Sequence, residues 1–410
     1  MRILLVTTHF FPESFKANDM AFELGRRGHD VTVLTPIPDY PHGKFYDGYG
    51  LFKRRREIVN GVKVIRTLVS PRRSGSAKWL GLNYLTYTIF SCIKALWLGL
   101  TKKYDVVLVH ETSPVMVGIP AVIIKKLNKV QSHFWVLDLW PESLSAAGGI
   151  NNRLILGCFN KLTRWIYNNS DSILISSKGF VSSITKMGDF QKKIKYFPNW
   201  IDNIENKEFN YEFNFPEGFN VVFTGNIGEA QDIEHILEAA KILINAKVNI
   251  ILIGNGRKRD FAKEFVNKNR LSNVYLPGAF PREVMHYFYE HADVLFLSLK
   301  NSPIFALTVP AKLQAYMASG KAIVAMINGE GADLIKEADC GWSVPAENSD
   351  ALAKLLLQLS KTEQTILFRK GENGKKYCQE HFDFRKCIDN LEEIINPTGI
   401  KAIRTSKSGQ

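Results

Sequence analysis

Residues 219–232 read FNVVFTGNIGEAQD, a run of apolar residues that ends at two glycines and leads into a helical pattern. Short apolar runs of this kind are typical of strands buried in a parallel sheet. Gly225 and Gly228 would let backbone N–H groups approach a phosphate or a sugar closely, although an ordinary tight turn uses the same residues. The stretch therefore predicts the first strand–helix step of an α/β domain.

Strand and helix patterns alternate from this point to GWSVP at residues 341–345, and an earlier series starts at RILLVTT, residues 2–8. Such alternation implies parallel sheets covered on both faces. Two series predict two Rossmann-like domains, 1–198 and 203–379, with chemistry in the loops that follow the strands, in a cleft between the domains. The polar tail, 397–410, is predicted to be disordered.

The composition is that of a soluble globular protein, since 45% of the 410 residues are hydrophobic and 23% are charged. No cleavable signal pattern opens the sequence. The five cysteines are widely spaced and form no CxxC pair, which argues against a zinc site or a disulfide framework. A reducing cytoplasm fits this pattern best.

The positive charge is concentrated in the first half of the chain. The net charge of +13 combines +15 in residues 1–200 with −2 in the remainder, and residues 53–103 hold twelve basic side chains against one acidic side chain. This asymmetry predicts an anionic surface as partner, although a solvated basic face has the same composition.

The partner surface is predicted to be lipid. Residues 78–103 read KWLGLNYLTYTIFSCIKALWLGLTKK, with aromatic residues inside and lysines at both ends. Polar residues within the stretch make a membrane span costly, so a helix that lies in the interface is expected. The alternative is a core helix of the first domain. We recognise no nucleic-acid-binding motif, so nucleic acid is not expected as a partner.

Two loops of the first domain carry candidate residues. The loop after the first strand, THFFPESFKAND, holds Glu13 as a catalytic candidate and Ser14 and Lys16 as acceptor-binding candidates. The strand HFWVLDL ends with Asp138, and Glu142 follows in WPES. A carboxylate at a strand end is well placed to bind a sugar hydroxyl or orient a nucleophile. Ordinary helix-entry loops and helix caps are the alternatives.

A neighbouring strand, YDVVLVH, supplies His110 and Glu111 as secondary candidates.

The second domain offers further loops for a donor substrate. IGNGRKRD, residues 253–260, repeats the two-glycine turn with Gly254, Gly256 and Arg257, and is similar to half of a dinucleotide-binding fingerprint. PGAFPREVMH turns sharply at Phe280 and Pro281, where the backbone could bracket a nucleobase.

The segment TVPAKLQAYMASG, residues 308–320, predicts a helix that starts at Pro310 and ends before Gly320. Lys312 falls in its first turn, where the helix dipole disfavours a cation by roughly 0.3–1 kcal/mol. Either the side chain carries its charge out to water, or an anion binds there. If the ligand is a nucleoside diphosphate, Lys312 and the backbone from Val309 to Ala311 would hold it. No convincing DxD metal motif occurs, so no metal or other cofactor is expected.

Several segments in this order resemble a retaining glycosyltransferase of family 4: FFPE, RRGHDVTVLT, FTGNIG, LIGNG, LPGAF, ADVLFLSL and AYMASGKAIV. TPIPDYPHGKFYDGY and LDLWPES narrow the resemblance to the N-acetyl-L-fucosaminyltransferases of O-antigen and capsule synthesis. The resemblance implies the GT-B fold, two Rossmann-like domains that face each other across a cleft. It also implies that a C-terminal helix, near 380–396, packs back on the first domain.

The resemblance further implies a UDP-sugar donor bound by the second domain and an undecaprenyl-diphosphate-linked sugar as acceptor. The enzyme would work at the inner face of a bacterial plasma membrane. Many members carry an Arg and a Lys where this chain has Asn226 and Gln231, and two glutamates where it has Leu307 and Ala315. These departures increase the expected importance of Lys312.

In a retaining front-face displacement, Lys312, the helix start and Arg257 would stabilise the leaving diphosphate, and Asp138 would orient the donor sugar. A UDP-sugar 2-epimerase of the same fold, a nicotinamide dehydrogenase and a non-catalytic membrane-bound assembly partner are the alternatives. The dehydrogenase is disfavoured because no full GxGxxG follows the first strand.

Overall fold

The structure is a computed structural model that describes residues 1–148, 152–202, 207–208, 210 and 213–396. The predicted disordered tail lies outside the described residues. The described residues divide into two compact units, one made of those in Met1–Pro198 together with residues 387–396, the other of those in Asn199–Lys386.

The first unit alternates strands and helices along its sequence, as the apolar runs predict. Its elements are β1 (Arg2–Thr7), α1 (Lys16–Arg26), β2 (Asp30–Pro36), β3 (Arg56–Val59), β4 (Val62–Thr67), α2 (Ala77–Thr101), β5 (Val106–Glu111), α3 (Gly118–Asn128), β6 (Gln131–Val136), α4 (Glu142–Gly148), α5 (Arg153–Asn169), β7 (Ser172–Ile175), α6 (Phe180–Met187) and β8 (Ile194–Tyr196). The strand order is β3-β4-β2-β1-β5-β6-β7-β8, parallel except for β3, which runs antiparallel to β4.

The second unit has a wholly parallel six-stranded sheet, in the order β11-β10-β9-β12-β13-β14. Its elements are β9 (Phe219–Thr224), α7 (Ile233–Ile242), β10 (Val248–Ile253), α8 (Arg259–Asn269), β11 (Val274–Gly278), α9 (Met285–Glu290), β12 (Val294–Ser298), α10 (Pro303–Ala306), α11 (Ala311–Ala318), β13 (Ile323–Met326), α12 (Glu330–Glu337), β14 (Gly341–Val344), α13 (Ser349–Leu359) and α14 (Gln364–His381).

Alternating side chains of the second sheet build two cores. Val221 and Phe223 belong to the core on one face of the sheet, and Val222 belongs to the core on the other. A parallel sheet buried on both faces explains why its strands read as continuous apolar runs. The predicted α/β class with two Rossmann-like sheets is confirmed.

The last described helix, α15 (Phe384–Ile395), contacts the end of α1. Arg27 forms ion pairs with Asp389 at 2.5 Å and with Glu392 at 2.6 Å, and His29 lies 2.7 Å from Glu392. The apolar side chains of α15, Ile388 and Leu391 among them, are buried. The C-terminal end of the described chain therefore completes the first unit.

Candidate functional site

Lys312 lies in the first turn of α11, and its ammonium group is buried without a hydrogen-bond partner. The Nζ atom lies 3.6 Å from the centre of the Phe223 ring, on the strand β9. Burial lowers the pKa of Lys312 to about 7. The alternative, in which the side chain carries its charge out to water, is therefore wrong, and the geometry favours the predicted anion at the helix start.

The loops after β9 and β10 meet beside this lysine. Gly225, at a φ of +118°, packs so closely that a Cβ there would lie 2.8 Å from Cε of Lys312. A Cβ on Gly254 would lie 1.8 Å from the carbonyl oxygen of Gly225, so only glycine allows this backbone approach. The backbone N–H of Ile227 also donates to the carbonyl of Asn255 at 2.8 Å. The loops form one joined backbone surface at the carboxyl ends of the strands.

The N-terminus of α11 is held against the end of β9. The hydroxyl of Tyr316 accepts the backbone N–H of Thr224 at 2.9 Å, and Thr224 Oγ1 lies 3.2 Å from the same hydroxyl. Pro310 provides no side-chain cap for the helix, and in the first turn the N–H of Leu313 donates to the carbonyl of Pro310 at 2.9 Å, which leaves the N–H groups of Ala311 and Lys312 for a ligand. Uncapped N–H groups and a buried lysine together form a site for an anion.

The remaining donor-binding candidates are distributed around these loops. Asn226 Nδ2 lies 3.5 Å from Gln231 Oε1, and a Cβ on Gly228 would lie 2.3 Å from Asn226 Nδ2. Phe280, next to Pro281, places its ring 4.8 Å from the ring of Phe288. The Phe280 ring therefore packs against the core of the unit.

Arg257 is exposed, whereas its near neighbour Arg259 lies against Gly278, the last residue of β11. The Nη2 atom of Arg259 is 3.5 Å from the position of a Cβ on Gly278, and its Nε is buried without a hydrogen-bond partner. A Cβ on Gly256 would lie 2.3 Å from the carbonyl of Ile227. Sequence reasoning missed Arg259, because both arginines stand in the same basic run.

Titratable metal ligands are not clustered in the described part of the chain, where no three His, Cys, Asp or Glu side chains could hold a metal ion together. Glu229, near the donor loops, instead pairs with Lys258 at 3.1 Å and also with Lys300. That the reaction needs no metal remains a prediction.

Glu13 has a structural role in the first unit. Its Oε1 accepts the backbone N–H groups of Asp39 and Tyr40 at 2.8 Å each, and its Oε2 lies 2.6 Å from His9 Nδ1. The side chain is 3% exposed. Both oxygens are buried and occupied by the protein, so the geometry favours a structural role for Glu13 over the predicted catalytic one. Glu13 fixes the loop after β2 and the ring of His9.

His9 in turn orients Arg72, and neither residue stands out in the sequence. Arg72 Nη2 donates to His9 Nε2 at 3.0 Å, so His9 carries its proton on Nδ1 and donates it to Glu13. The guanidinium of Arg72 also lies over the rings of Tyr40 and Tyr84, 5.5 Å and 5.9 Å from their centres. A fixed cation at the carboxyl ends of β1 and β4 is suited to a polar or anionic substrate group.

Asp138 lies in the same group of loops. Its Oδ2 accepts the hydroxyl of Ser113 at 2.7 Å, and burial raises the pKa of the Asp138 carboxyl. Glu111 is fully buried and accepts the backbone N–H groups of Ser113 and Asp138, both at 3.2 Å. Burial and the nearby Asp138 raise the pKa of Glu111. Glu111 supports the loop, and Asp138 is the carboxyl group that remains partly accessible.

The other candidates of the first unit have separate surroundings. Ser14 is exposed, and Lys16 is the first residue of α1. Glu142, the first residue of α4, accepts the hydroxyl of Ser183. His110 is buried, with Nδ1 3.2 Å from Thr7 Oγ1, and burial lowers its pKa to about 3. His110 is therefore a neutral core residue.

The helix α2 has an unusual distribution of side chains. Its buried face consists of Asn83, Tyr87, Ser91, Ala95, Leu98 and Gly99. Its exposed face is apolar and comprises Leu82, Leu85, Ile89, Phe90, Ile93, Leu96, Trp97 and Leu100. We call this second set the apolar face of α2. Small and polar residues allow close packing on α3, where a Cβ on Gly99 would lie 2.6 Å from Leu127. Within the described residues, no helix is long and apolar enough to cross a membrane.

Comparison with known proteins finds two matching families. Residues 16–200 match a family described as "Glycosyl transferase 4-like domain", and residues 218–362 match "Glycosyl transferases group 1". Together the matches follow the two units of the structure.

Curated relatives and solved structures agree with these matches. The chain is 27% identical over 277 residues to the probable glycosyltransferase WbjE of Pseudomonas aeruginosa, covering 64% of this chain and 68% of that protein. It is 20% identical to the putative colanic acid biosynthesis glycosyl transferase WcaI of Escherichia coli, with coverages of 67% and 70%. HepE of Anabaena, solved with UDP, superposes with a TM-score of 0.69 at 14% identity, covering 97% of this chain and all of that one.

Proposed function

The chain is a glycosyltransferase with the GT-B fold, and from that premise we propose that it transfers a sugar from UDP to a lipid-linked saccharide during surface-polysaccharide synthesis. The name of WbjE supports glycosyl transfer, the name of WcaI, a putative colanic acid biosynthesis glycosyl transferase, supports polysaccharide synthesis, and the UDP bound to HepE supports the nucleotide. The sugar is an N-acetylated deoxyhexosamine, such as N-acetyl-L-fucosamine, by the sequence resemblance. The observation that carries the proposal is the unpaired, buried Lys312 at an uncapped helix start.

The donor diphosphate binds where α11 meets the loops of β9 and β10. The N–H groups at the start of α11 and the Lys312 ammonium group supply positive charge, and the Gly225 and Gly254 backbone leaves room for close approach. Arg259 adds a second cation beside the end of β11. These groups replace the positive charge that a metal ion would provide, so the reaction proceeds without metal.

The charge of the leaving group directs the mechanism. As the glycosidic bond breaks, negative charge accumulates on the UDP phosphate oxygen, and Lys312 stabilises it more strongly than in the ground state. That oxygen accepts the proton of the acceptor hydroxyl, which attacks from the same face of the sugar. The anomeric configuration is therefore retained. No side chain in the described units has to act as a strong base.

The acceptor binds at the carboxyl ends of the first sheet. Arg72, fixed by His9 and the two tyrosine rings, binds the acceptor's anionic or polar groups. Asp138 accepts a hydrogen bond from a sugar hydroxyl. Ser14, Lys16 and Glu142 lie on the loops and helix starts that follow the same sheet and contact the more distant parts of the saccharide.

The lipid part of the acceptor places the enzyme at a membrane. The apolar face of α2 inserts among lipid headgroups and acyl chains, and the basic residues around it contact an anionic surface. A helix in a water-facing position would be expected to have the reverse pattern, with its polar side chains outward. The enzyme thus attaches to the inner face of a bacterial plasma membrane.

A transfer assay tests this function. The purified protein is incubated in EDTA with UDP-N-acetyl-L-fucosamine or UDP-N-acetylglucosamine and undecaprenyl-diphosphate-linked N-acetylglucosamine, and the lipid product is analysed by mass spectrometry and proton NMR. We expect a product one sugar longer that keeps the donor configuration. A reaction without acceptor that yields only an epimerised UDP-sugar would instead assign the alternative epimerase activity.

A further inference from the structure

A pocket lies in the first unit, where the chain around the start of β3 and the loop after β4 meet the helix α2. Its volume is about 580 Å³. Its lining comprises three cations and a set of mainly apolar side chains: Arg55, Arg56, Lys94, Leu51, Phe52, Leu68, Val69, Ser70 and Phe90. Leu68, Val69 and Ser70 lie on the loop after β4, shortly before Arg72, and none of the lining residues itself has a role in the proposed reaction. We call it the basic pocket.

The cations of the basic pocket have no anionic partner among the described residues. Arg55 donates only to the backbone carbonyls of Arg66 and Leu51, at 2.8 Å and 2.9 Å. The Arg56 guanidinium and the Lys94 ammonium group both lie over the ring of Trp97, 5.3 Å and 4.8 Å from its centre. Three positive groups share one cavity, which favours binding of an anion.

The electrostatics of Lys94 agree with this reading. Burial lowers the pKa of its ammonium group, and the positive charges of Arg56 and Arg55 lower it further. A phosphate placed among the three cations would offset their mutual repulsion and stabilise the charged form of Lys94.

The apolar lining restricts the chemistry of the anion. Phe52 is 96% exposed, and Leu51 and Phe90 are also exposed at the mouth of the pocket. Phe90 belongs to the apolar face of α2 and continues it into the cavity. A small hydrophilic anion would leave this apolar surface in water, whereas an amphiphile would cover it.

We propose that the basic pocket binds the phosphate of an anionic membrane phospholipid, whose acyl chains lie along the apolar face of α2. The inference rests on the proposed membrane contact and goes beyond it, because it assigns a defined headgroup site rather than a general attraction between charged surfaces. Arg56 and Lys94 contact the phosphate, Arg55 fixes the preceding loop, and Phe52 inserts beside the first acyl carbons.

The test compares two double variants with equal changes of charge. Arg56→Gln with Lys94→Gln alters the pocket, while Lys102→Gln with Lys103→Gln removes two exposed cations just beyond the end of the same helix. Sedimentation measures binding to vesicles of phosphatidylcholine with and without phosphatidylglycerol, at low salt and at 1 M salt, where the Debye length is about 3 Å. Thermal melting and UDP binding check that each variant is folded.

We expect the wild type and the Lys102/Lys103 variant to keep a preference for vesicles with phosphatidylglycerol at high salt. In the Arg56/Lys94 variant, the ratio of binding with and without phosphatidylglycerol should be at least tenfold smaller. Equal losses in both variants would overturn the headgroup site and leave a diffuse membrane contact. Full displacement of the protein from the vesicles by soluble glycerol phosphate would show that the phosphate alone is bound, and would overturn the proposal that the ligand is a phospholipid. Failure of the wild type to bind any vesicle would overturn the membrane contact itself, on which the site depends.

Discussion

The side chain of Lys312 packs directly against Gly225: Cε of the lysine lies 2.8 Å from the point where a Cβ on Gly225 would be. The lysine side chain therefore runs along the backbone of the β9 loop, and its ammonium group stops over Phe223. This contact links the conformation of the glycine turn to the position of the buried positive charge.

Gly225→Ala should displace Lys312 and weaken donor binding. The φ of +118° is strained for alanine, and together with the close contact it should lower the free energy of unfolding by about 1–3 kcal/mol. UDP affinity should fall at least tenfold by titration. Gly157→Ala is the matched control, since a Cβ there meets nothing within 4 Å in the middle of α5. That variant should be slightly more stable, and an equally harmless Gly225→Ala would contradict the contact.

Lys312→Met should change activity and stability in opposite directions. The variant keeps the apolar stem but removes the charge that stabilises the leaving group, so kcat/KM for transfer should fall roughly tenfold to a thousandfold. The folded-state pKa of Lys312 is about 7, well below its unfolded value of 10.5. The buried charge therefore lowers the free energy of unfolding by its full amount below pH 7, and by less and less as the pH rises toward 10.5.

At pH 7, denaturant unfolding should therefore show the Lys312→Met variant to be more stable by about 1–3 kcal/mol. Lys361→Met, at an exposed position of the same unit, should leave both stability and kcat/KM unchanged. Loss of activity together with loss of stability would mean that the lysine supports the fold rather than the reaction.

UDP binding should take up a proton above neutral pH. In the protein without UDP, Lys312 has a pKa of about 7 and is mostly neutral at pH 8.5. The negative charge of a bound diphosphate favours the ammonium form and returns the pKa toward 10.5. The affinity for UDP should thus fall as the pH rises above 7. Below pH 7, the titration of Lys312 should no longer change the affinity. Calorimetry in buffers of different ionisation enthalpy measures the uptake. Uptake that persists in Lys312→Met would assign the proton to another group.

Glu13→Gln should weaken the acceptor site and leave the donor site intact. The amide would face the proton on His9 Nδ1, so His9 would have to change tautomer and could no longer accept from Arg72. We expect KM for the lipid-linked acceptor to rise at least tenfold, with a stability cost of about 1–3 kcal/mol. UDP affinity provides the internal control. An unchanged acceptor KM would show that Arg72 does not depend on this chain of contacts.

The sequence predicted the features that depend on local pattern. The strand at 219–224 and the helix start at Pro310 follow from apolar runs and from residues with restricted backbones, and both are found where the structure has β9 and α11. Lys312 was identifiable because a cation in a first helical turn contradicts the helix dipole. Each of these signals is contained within a short stretch of neighbouring residues.

What the sequence did not predict depends on distant parts of the chain. His9, Glu13 and Arg72 meet only after β1 and β4 enter the same sheet, so the buried carboxylate of Glu13 looked like a free loop residue. The outward direction of the apolar side chains of α2 follows from its packing on α3 through Gly99. Periodicity alone does not say which side of such a helix is buried.

The most direct test of the central claim is a calorimetric titration of UDP into the purified protein in EDTA, with GDP and Lys312→Met measured alongside. The account predicts one UDP site in the wild type, weaker binding of GDP, and UDP binding at least tenfold weaker in Lys312→Met. Equal UDP binding by Lys312→Met, or binding that appears only when a divalent metal replaces the EDTA, would contradict it.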